Sequence, residues 1–244
     1  MRDKMLFQDA LTQRIIILVC FQLWPILYFL VLAYRLLKRK KSILTLTLSS
    51  YFILNAFGYS LSFLSLAFLN TPVAYLVYLL TFYFTVYSQS FIVIFSWLLL
   101  NLDKKISSST YRFLIVIYGS IASYIFWVAY ISKGIKFDSS TGWTPEFSIQ
   151  FLIISYIYLT IFLIGPQIIL AFRLLSAFEG AKLKKRVRQF LISAFLEYAT
   201  IYFLTLYNTL VEPTIFRLIF PAINLVIGMT AAYYIYKSLG KELE

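Results

Sequence analysis

Seven stretches of this chain are long and apolar enough to cross a hydrocarbon layer, and that feature restricts its fold more than any other. A helix rises 1.5 Å per residue, so about 20 apolar residues span the roughly 30 Å of a bilayer's hydrocarbon. The stretches fall at about 15–37, 43–69, 73–100, 111–132, 148–175, 190–211 and 214–236, which leaves no separate soluble domain. Inside lipid each backbone N–H and C=O must be satisfied within its own segment, and runs of this length do so as α-helices. The chain is 61% hydrophobic and 13% charged, whereas a soluble domain carries roughly 25% charged residues. The expectation is an all-α membrane protein, a single seven-helix transmembrane bundle over residues 1–244. It would be multi-pass in the cell membrane, with lipid as its first partner.

Short polar connectors separate the stretches. Asn70-Thr71-Pro72 and Glu212-Pro213 are tight breaks in which proline starts the next helix. Asn101-Leu102-Asp103-Lys104-Lys105 is basic, as is the run from Glu179 to Gln189 with Lys182, Lys184, Lys185, Arg186 and Arg188. With the amino terminus outside, all but six of the 22 Lys and Arg reach the cytoplasmic ends; the six are Arg2, Lys4, Arg14, Lys133, Lys136 and Arg217. The positive-inside rule then places the N-terminus outside and the C-terminus in the cytoplasm. The run after Arg14 is too long for the apolar core of a signal peptide and ends in Arg35, Lys38, Arg39, Lys40 and Lys41, so it reads as a retained first span.

Composition removes several function classes. The formal charge of +12 sits in short connectors beside apolar runs, where it acts as a topology signal and not as a nucleic-acid footprint. Cys20 is the only cysteine and there is no histidine, so an intrachain disulfide, a thiolate metal cluster and His-based acid/base or haem chemistry lack their residues. No catalytic set, metal site or cofactor is expected. A retinal Schiff base would need a lysine in the middle of the last span, and the lysine there, Lys237, lies at its cytoplasmic end.

Polar positions within the spans are the informative ones, because an ionisable group deep in hydrocarbon costs at least about 2.5–3.5 kcal/mol. Glu197 lies about two turns into span six and, at 100° per residue, shares a face with Thr205, Asn208 and Glu212, a stripe that should look into the bundle. It reads either as part of a polar, proton-sensitive cavity or as a carboxyl, protonated or bonded to a neighbouring tyrosine, that ties helices together. Span seven carries Arg217, Pro221, Asn224, Gly228 and Ala231 on one face. Arg217 is expected to snorkel or to meet Glu212 across the turn, while Gly228 and Ala231 permit close helix approach and Pro221 a kink. Asn55, Tyr59 and Ser62 in span two, with Tyr83, Tyr87 and Ser90 in span three, form further polar faces. Trp143, in the longest external connector, is a lid candidate or a member of the interfacial aromatic belt. The candidate ligand-binding or coupling set is thus Glu197, Asn208, Asn224, Arg217, Asn55, Tyr59, Tyr83, Tyr87 and Trp143.

Tyr34-Arg35-Leu36-Leu37-Lys38-Arg39-Lys40-Lys41 closes the first span and Gly142-Trp143-Thr144-Pro145 precedes the fifth. Phe172-Arg173-Leu174-Leu175 ends the fifth and Lys184-Lys185-Arg186-Val187-Arg188-Gln189-Phe190-Leu191 enters the sixth. Phe220-Pro221-Ala222 and Tyr233-Tyr234-Ile235-Tyr236-Lys237 mark the seventh. In these features the layout resembles the amino-terminal seven-helix sensor regions of bacterial and archaeal histidine kinases. The resemblance implies ligand binding or membrane sensing, with a conformational change passed inward. As the sequence stops at Glu244, a partner would supply the output.

Trp24-Pro25-Ile26-Leu27 in span one and Gly165-Pro166-Gln167-Ile168 in span five, each with a basic exit, resemble in turn the paired elements of PQ-loop and SWEET-type sugar transporters, which are built from two three-helix repeats. A literal Pro-Gln occurs once, and Asn224 is not preceded by the proline that this family sets beside its pocket asparagine.

The sequence is therefore read as a non-enzymatic, seven-helix sensor or receptor-like protein. A small or hydrophobic ligand would bind among spans two, three, six and seven beneath Trp143, and shift the state shown to a cytoplasmic or membrane partner by residues 182–188. The same basic run attracts anionic headgroups. The alternatives are a PQ-loop or SWEET-like small-solute carrier and a non-catalytic hydrophobic subunit of a larger membrane complex.

Overall fold

Serine and proline set where the helices begin. The computed structural model describes residues 12, 15–16, 18–39, 42–104, 106–210 and 214–239, without the side chains of 214, 215, 217 and 218. Among them are seven helices long and apolar enough to cross a membrane. These are α1 (Leu18–Leu37), α2 (Ile43–Phe68), α3 (Pro72–Leu100), α4 (Ser108–Ser132), α5 (Ile149–Ala177), α6 (Ala181–Thr209) and α7 (Thr214–Ser238). Ser42, Ser107 and Ser148 each accept a hydrogen bond at 3.1 Å from the backbone N–H three residues on, satisfying an otherwise orphaned donor of α2, α4 and α5. Pro72 opens α3, where its missing N–H is no loss.

α6 starts earlier than its apolar run. It begins at Ala181, after Gly180 turns the chain with a φ of 87°, so the basic segment 182–188 is the opening two turns of a helix and not a connector. Ala, Leu, Lys and Arg are good helix formers, and once the apolar part nucleates the helix they extend it beyond the hydrocarbon-like stretch.

Two helices are locally widened. A π-turn at Leu18–Gln22 opens α1 just before Pro25, and another at Thr160–Ile164 interrupts α5 just before Pro166. Proline cannot donate to the carbonyl four residues back and its ring crowds that carbonyl. Those carbonyls, of Phe21 and Phe162, lie within the widened turns, which relieve the crowding.

α3 is the hub, with 72% of its apolar window buried against 17% for α4. α2, α4, α5 and α6 pack around it, and α7 closes the bundle between α6 and α1. Polar groups tie the seams. Gln167 Nε2 donates to Ser96 Oγ at 2.9 Å between α5 and α3, and Tyr87 Oη to the Ile115 carbonyl at 3.1 Å between α3 and α4. Outward faces stay apolar: Trp24, Tyr34, Phe113, Val116, Ile131 and Phe172 are each more than half exposed. Water-soluble monomers seldom leave so much apolar surface bare.

One end of the bundle gathers the cations, and there Arg39 Nη2 donates to Tyr236 Oη at 2.9 Å. The opposite end carries a small antiparallel hairpin, β1 (Ile135–Lys136) and β2 (Glu146–Phe147), where the sequence reading expects a plain loop. At its tip the Asp138 carboxylate accepts from the Ser140 hydroxyl at 2.6 Å and from the N–H groups of Ser140 and Thr141 at 2.8 and 3.3 Å. The Ser140 hydroxyl above all, joined by those N–H groups and the Lys136 charge, holds this carboxyl below its ordinary 3.8 against burial, the second-largest effect, which raises it.

Candidate functional site

A cavity of about 120 Å³ lies at the hairpin end, walled by α1, α2, α3, α6 and α7. α3 supplies Tyr78, Thr81, Phe82 and Thr85, three and four residues apart on one face. α7 supplies Phe220, Pro221, Asn224 and Gly228 by the same spacing, facing Leu204, Tyr207 and Asn208 of α6. α1 adds Gln22, Pro25 and Phe29, α2 adds Tyr59 and Ser62, and Thr144 and Pro145 of the hairpin complete the wall.

The hairpin fixes the aromatic part of that wall. Phe137 stacks on Tyr78 at 4.7 Å and 17°, and Phe147 and Phe151 each hold Phe82 at 5.6 Å. On the other side Tyr207 and Phe220 stack at 4.9 Å and 22°. These rings therefore offer faces already braced from behind, with little rotamer freedom left to lose on binding.

Part of the polar wall has no hydrogen-bond partner among the described residues. Among the described residues no hydrogen bond engages the side chain of Asn208 or Asn224, and Gln22 Oε1 is buried without a partner. The Thr81 and Thr85 hydroxyls donate back to the carbonyls of Val77 and Thr81, at 3.2 and 2.9 Å, which leaves them as acceptors.

Glu197 lies deeper, seven residues before Leu204 on α6, a rise of about 10 Å. It is 4% exposed, beside Tyr51 at 0% and Tyr198 at 2%. The Tyr51 hydroxyl lies against its carboxyl, and Tyr59 and Tyr198 are within electrostatic reach. Glu197 Oε1, Tyr51 Oη and Tyr198 Oη nevertheless have no hydrogen-bond partner in good geometry. Tyr59 belongs to both groups and so connects the cavity to the carboxyl.

Of the residues singled out from the sequence, Tyr59, Asn208 and Asn224 meet at the cavity. Tyr83 and Tyr87 do not. They lie on the flank of α3 turned to α4, where they stack on each other at 5.7 Å and Tyr83 meets Phe126 edge-on at 6.4 Å. Asn55 is buried one turn from Tyr59 but donates to the Tyr51 carbonyl at 3.2 Å. Trp143, 6% exposed, packs edge-on against Phe137 at 5.6 Å, so it anchors the hairpin while Thr144 and Pro145 reach the cavity. Trp143 also borders a wider, more open recess of about 960 Å³ on the outside of the hairpin, with Tyr75, Tyr130 and Lys136. Glu212 and the side chain of Arg217 fall outside the described residues.

Gln22, Tyr78, Thr81, Phe82, Thr85 and Tyr207 are among the lining residues that sequence reasoning passes over. Gln22 carries a usable signal, a lone carboxamide in an apolar span three residues before a proline. Comparison with family models, curated proteins and solved structures gave no match, so the site rests on its own geometry.

Proposed function

We propose that this chain is a seven-helix sensor or receptor-like protein of the cell membrane, without enzymatic activity. It binds a small ligand at the hairpin end and signals from the basic end. The distribution of Lys and Arg supports a hairpin end outside and a basic end in the cytoplasm, with the amino terminus outside. The observation that carries the reading is the cavity: five helices share one small, partly polar space, so a ligand that fills it favours one packing of those helices over another. α6 runs the length of the bundle, with Asn208 at the cavity, Glu197 midway, and the exposed Lys182, Lys184, Lys185 and Arg188 at its start. Those cations are placed for a cytoplasmic or membrane partner and for anionic headgroups.

Gly228→Leu tests the coupling. A Cβ added at Gly228, which lines the cavity, meets no described atom within 4 Å, so the new side chain enters the cavity and stands in for a ligand. In vesicles of the purified chain, amide exchange across the basic-end turns of α6 should change by at least about fivefold, the low end of ordinary coupling between sites. Unchanged exchange in a folded variant would defeat the sensor reading.

One observation favours the PQ-loop or SWEET-like carrier as a second reading. The π-turn followed by proline occurs in α1 and again in α5, at corresponding places of two three-helix halves. Solute uptake by vesicles holding this chain alone, lost in Gly228→Leu, would favour the carrier.

A further inference from the structure

We infer that the hairpin-end cavity takes an uncharged, flat molecule of about phenol size whose single polar group both donates and accepts a hydrogen bond. This rests on reading the cavity as the ligand site, and adds what the ligand must be.

The described wall argues against a charged ligand. Among the described residues lining the cavity there is no Lys, Arg, Asp or Glu, so an ion entering it would shed its water with no opposite charge among them to replace it. Glu197 is not a lining residue: it sits about 10 Å below Leu204 along α6, and its carboxyl is faced by Tyr51, Tyr198 and Tyr59, the last of which lines the cavity.

Size and shape follow from volume and rings. A cavity of about 150 Å³ holds one benzene, so the 120 Å³ here, open on one side, admits about one six-membered ring with at most a small substituent and excludes a hexose. The braced rings of Tyr78 and Phe82 on one side, and of the stacked Tyr207 and Phe220 on the other, match a flat apolar body. The polar group is set by the free carboxamides of Asn208 and Asn224, each able to accept through oxygen and donate through nitrogen. A hydroxyl or a small amide answers both functions, whereas a plain hydrocarbon leaves both unanswered.

The test uses the full chain in lipid nanodiscs, with ligand-observed NMR titrations of phenol, benzene, benzoate and glucose. Phenol should bind, benzene about 3- to 10-fold more weakly for want of its hydrogen bonds, and benzoate at least about tenfold more weakly. Glucose should not bind. Gly228→Leu should abolish phenol binding, and Asn208→Ala should bring phenol down to the level of benzene. If Gly228→Leu does not fold, Asn208→Ala alone decides: equal loss for phenol and benzene, or none for either, overturns the inference. It is also overturned if benzoate binds as well as phenol, if glucose binds and phenol does not, if a folded Gly228→Leu binds phenol unchanged, or if no probe binds. Phenol binding that leaves the basic end unchanged would keep this inference and sink the sensor reading. A response of the basic end to Gly228→Leu without any phenol binding would do the reverse.

Discussion

A Cβ added at Gly58, where α2 meets α3, would sit 2.9 Å from Thr85 Oγ1, and one added at Gly134, under the hairpin, 2.8 Å from Phe151 Cβ. At Gly228, on the α7 wall of the cavity, it would meet nothing described within 4 Å. The hydrogen bonds divide the same way. Tyr87 bonds across to α4 and Gln167 to Ser96 of α3, while Asn208 and Asn224 bond to nothing described. Packing is close at Gly58 and Gly134 and open at Gly228, and the cavity holds two carboxamides without a described partner, although Gln89 Oε1, Ser155 Oγ and Gln167 Oε1 are also unpartnered on α3 and α5. The contrast sets the close contacts at Gly58 and Gly134 against the open α7 wall at Gly228.

The contrast is open to attack by substitution. Gly134→Ala should be the most damaging, because two carbons cannot stay 2.8 Å apart and overpacking of this kind costs about 1–3 kcal/mol. Unfolding in lipid would read it, and a stability equal to the parent's would show the hairpin to be loosely docked. Gly58→Ala should lose about 1 kcal/mol, since only the Thr85 hydroxyl has to give way by much. Gly228→Ala should have the opposite sign, a gain of about 0.5–1 kcal/mol from helix propensity in open space; a loss there would mean the cavity wall is tighter than described.

The smallest effect concerns acid. Because the Asp138 carboxyl is held below its ordinary 3.8 in the folded hairpin, its contribution is fully present above that value and fades as pH falls through the lowered folded-state one. Asp138→Asn should remove this acid dependence and lower stability by under about 1 kcal/mol, a cap at a largely solvated site. Tryptophan fluorescence from Trp143, next to the hairpin tip, would follow the transition. A parent that loosens well above pH 4 would place its cause elsewhere.

The helices were legible where chemistry punctuates the chain. Pro72 announces a helix start in the sequence and performs that role in the structure, where Ser42, Ser107 and Ser148 prove to cap three more. The start of α6 was not legible, because hydropathy marks where a helix becomes apolar and is silent on where it begins. The candidate site was legible in part. Asn208 and Asn224 stand out as carboxamides in apolar spans, but which tyrosines of α3 look inward depends on helix rotation, and Tyr83 and Tyr87 turned to α4 while Tyr78 faces the cavity. The two-residue strands at 135–136 and 146–147 are too short to leave a periodic signal, so the loop expected under Trp143 proved to be a hairpin with Trp143 in its core.

If the hairpin end receives and the basic end transmits, the two must lie on opposite sides of one membrane. Single cysteines at Lys136→Cys and Lys184→Cys, both exposed positions, in a Cys20→Ser background, measure this directly. A membrane-impermeant maleimide should label Lys136→Cys in intact cells and reach Lys184→Cys only after permeabilisation. Labelling of Lys184→Cys in intact cells, or of both positions from the same side, would contradict it.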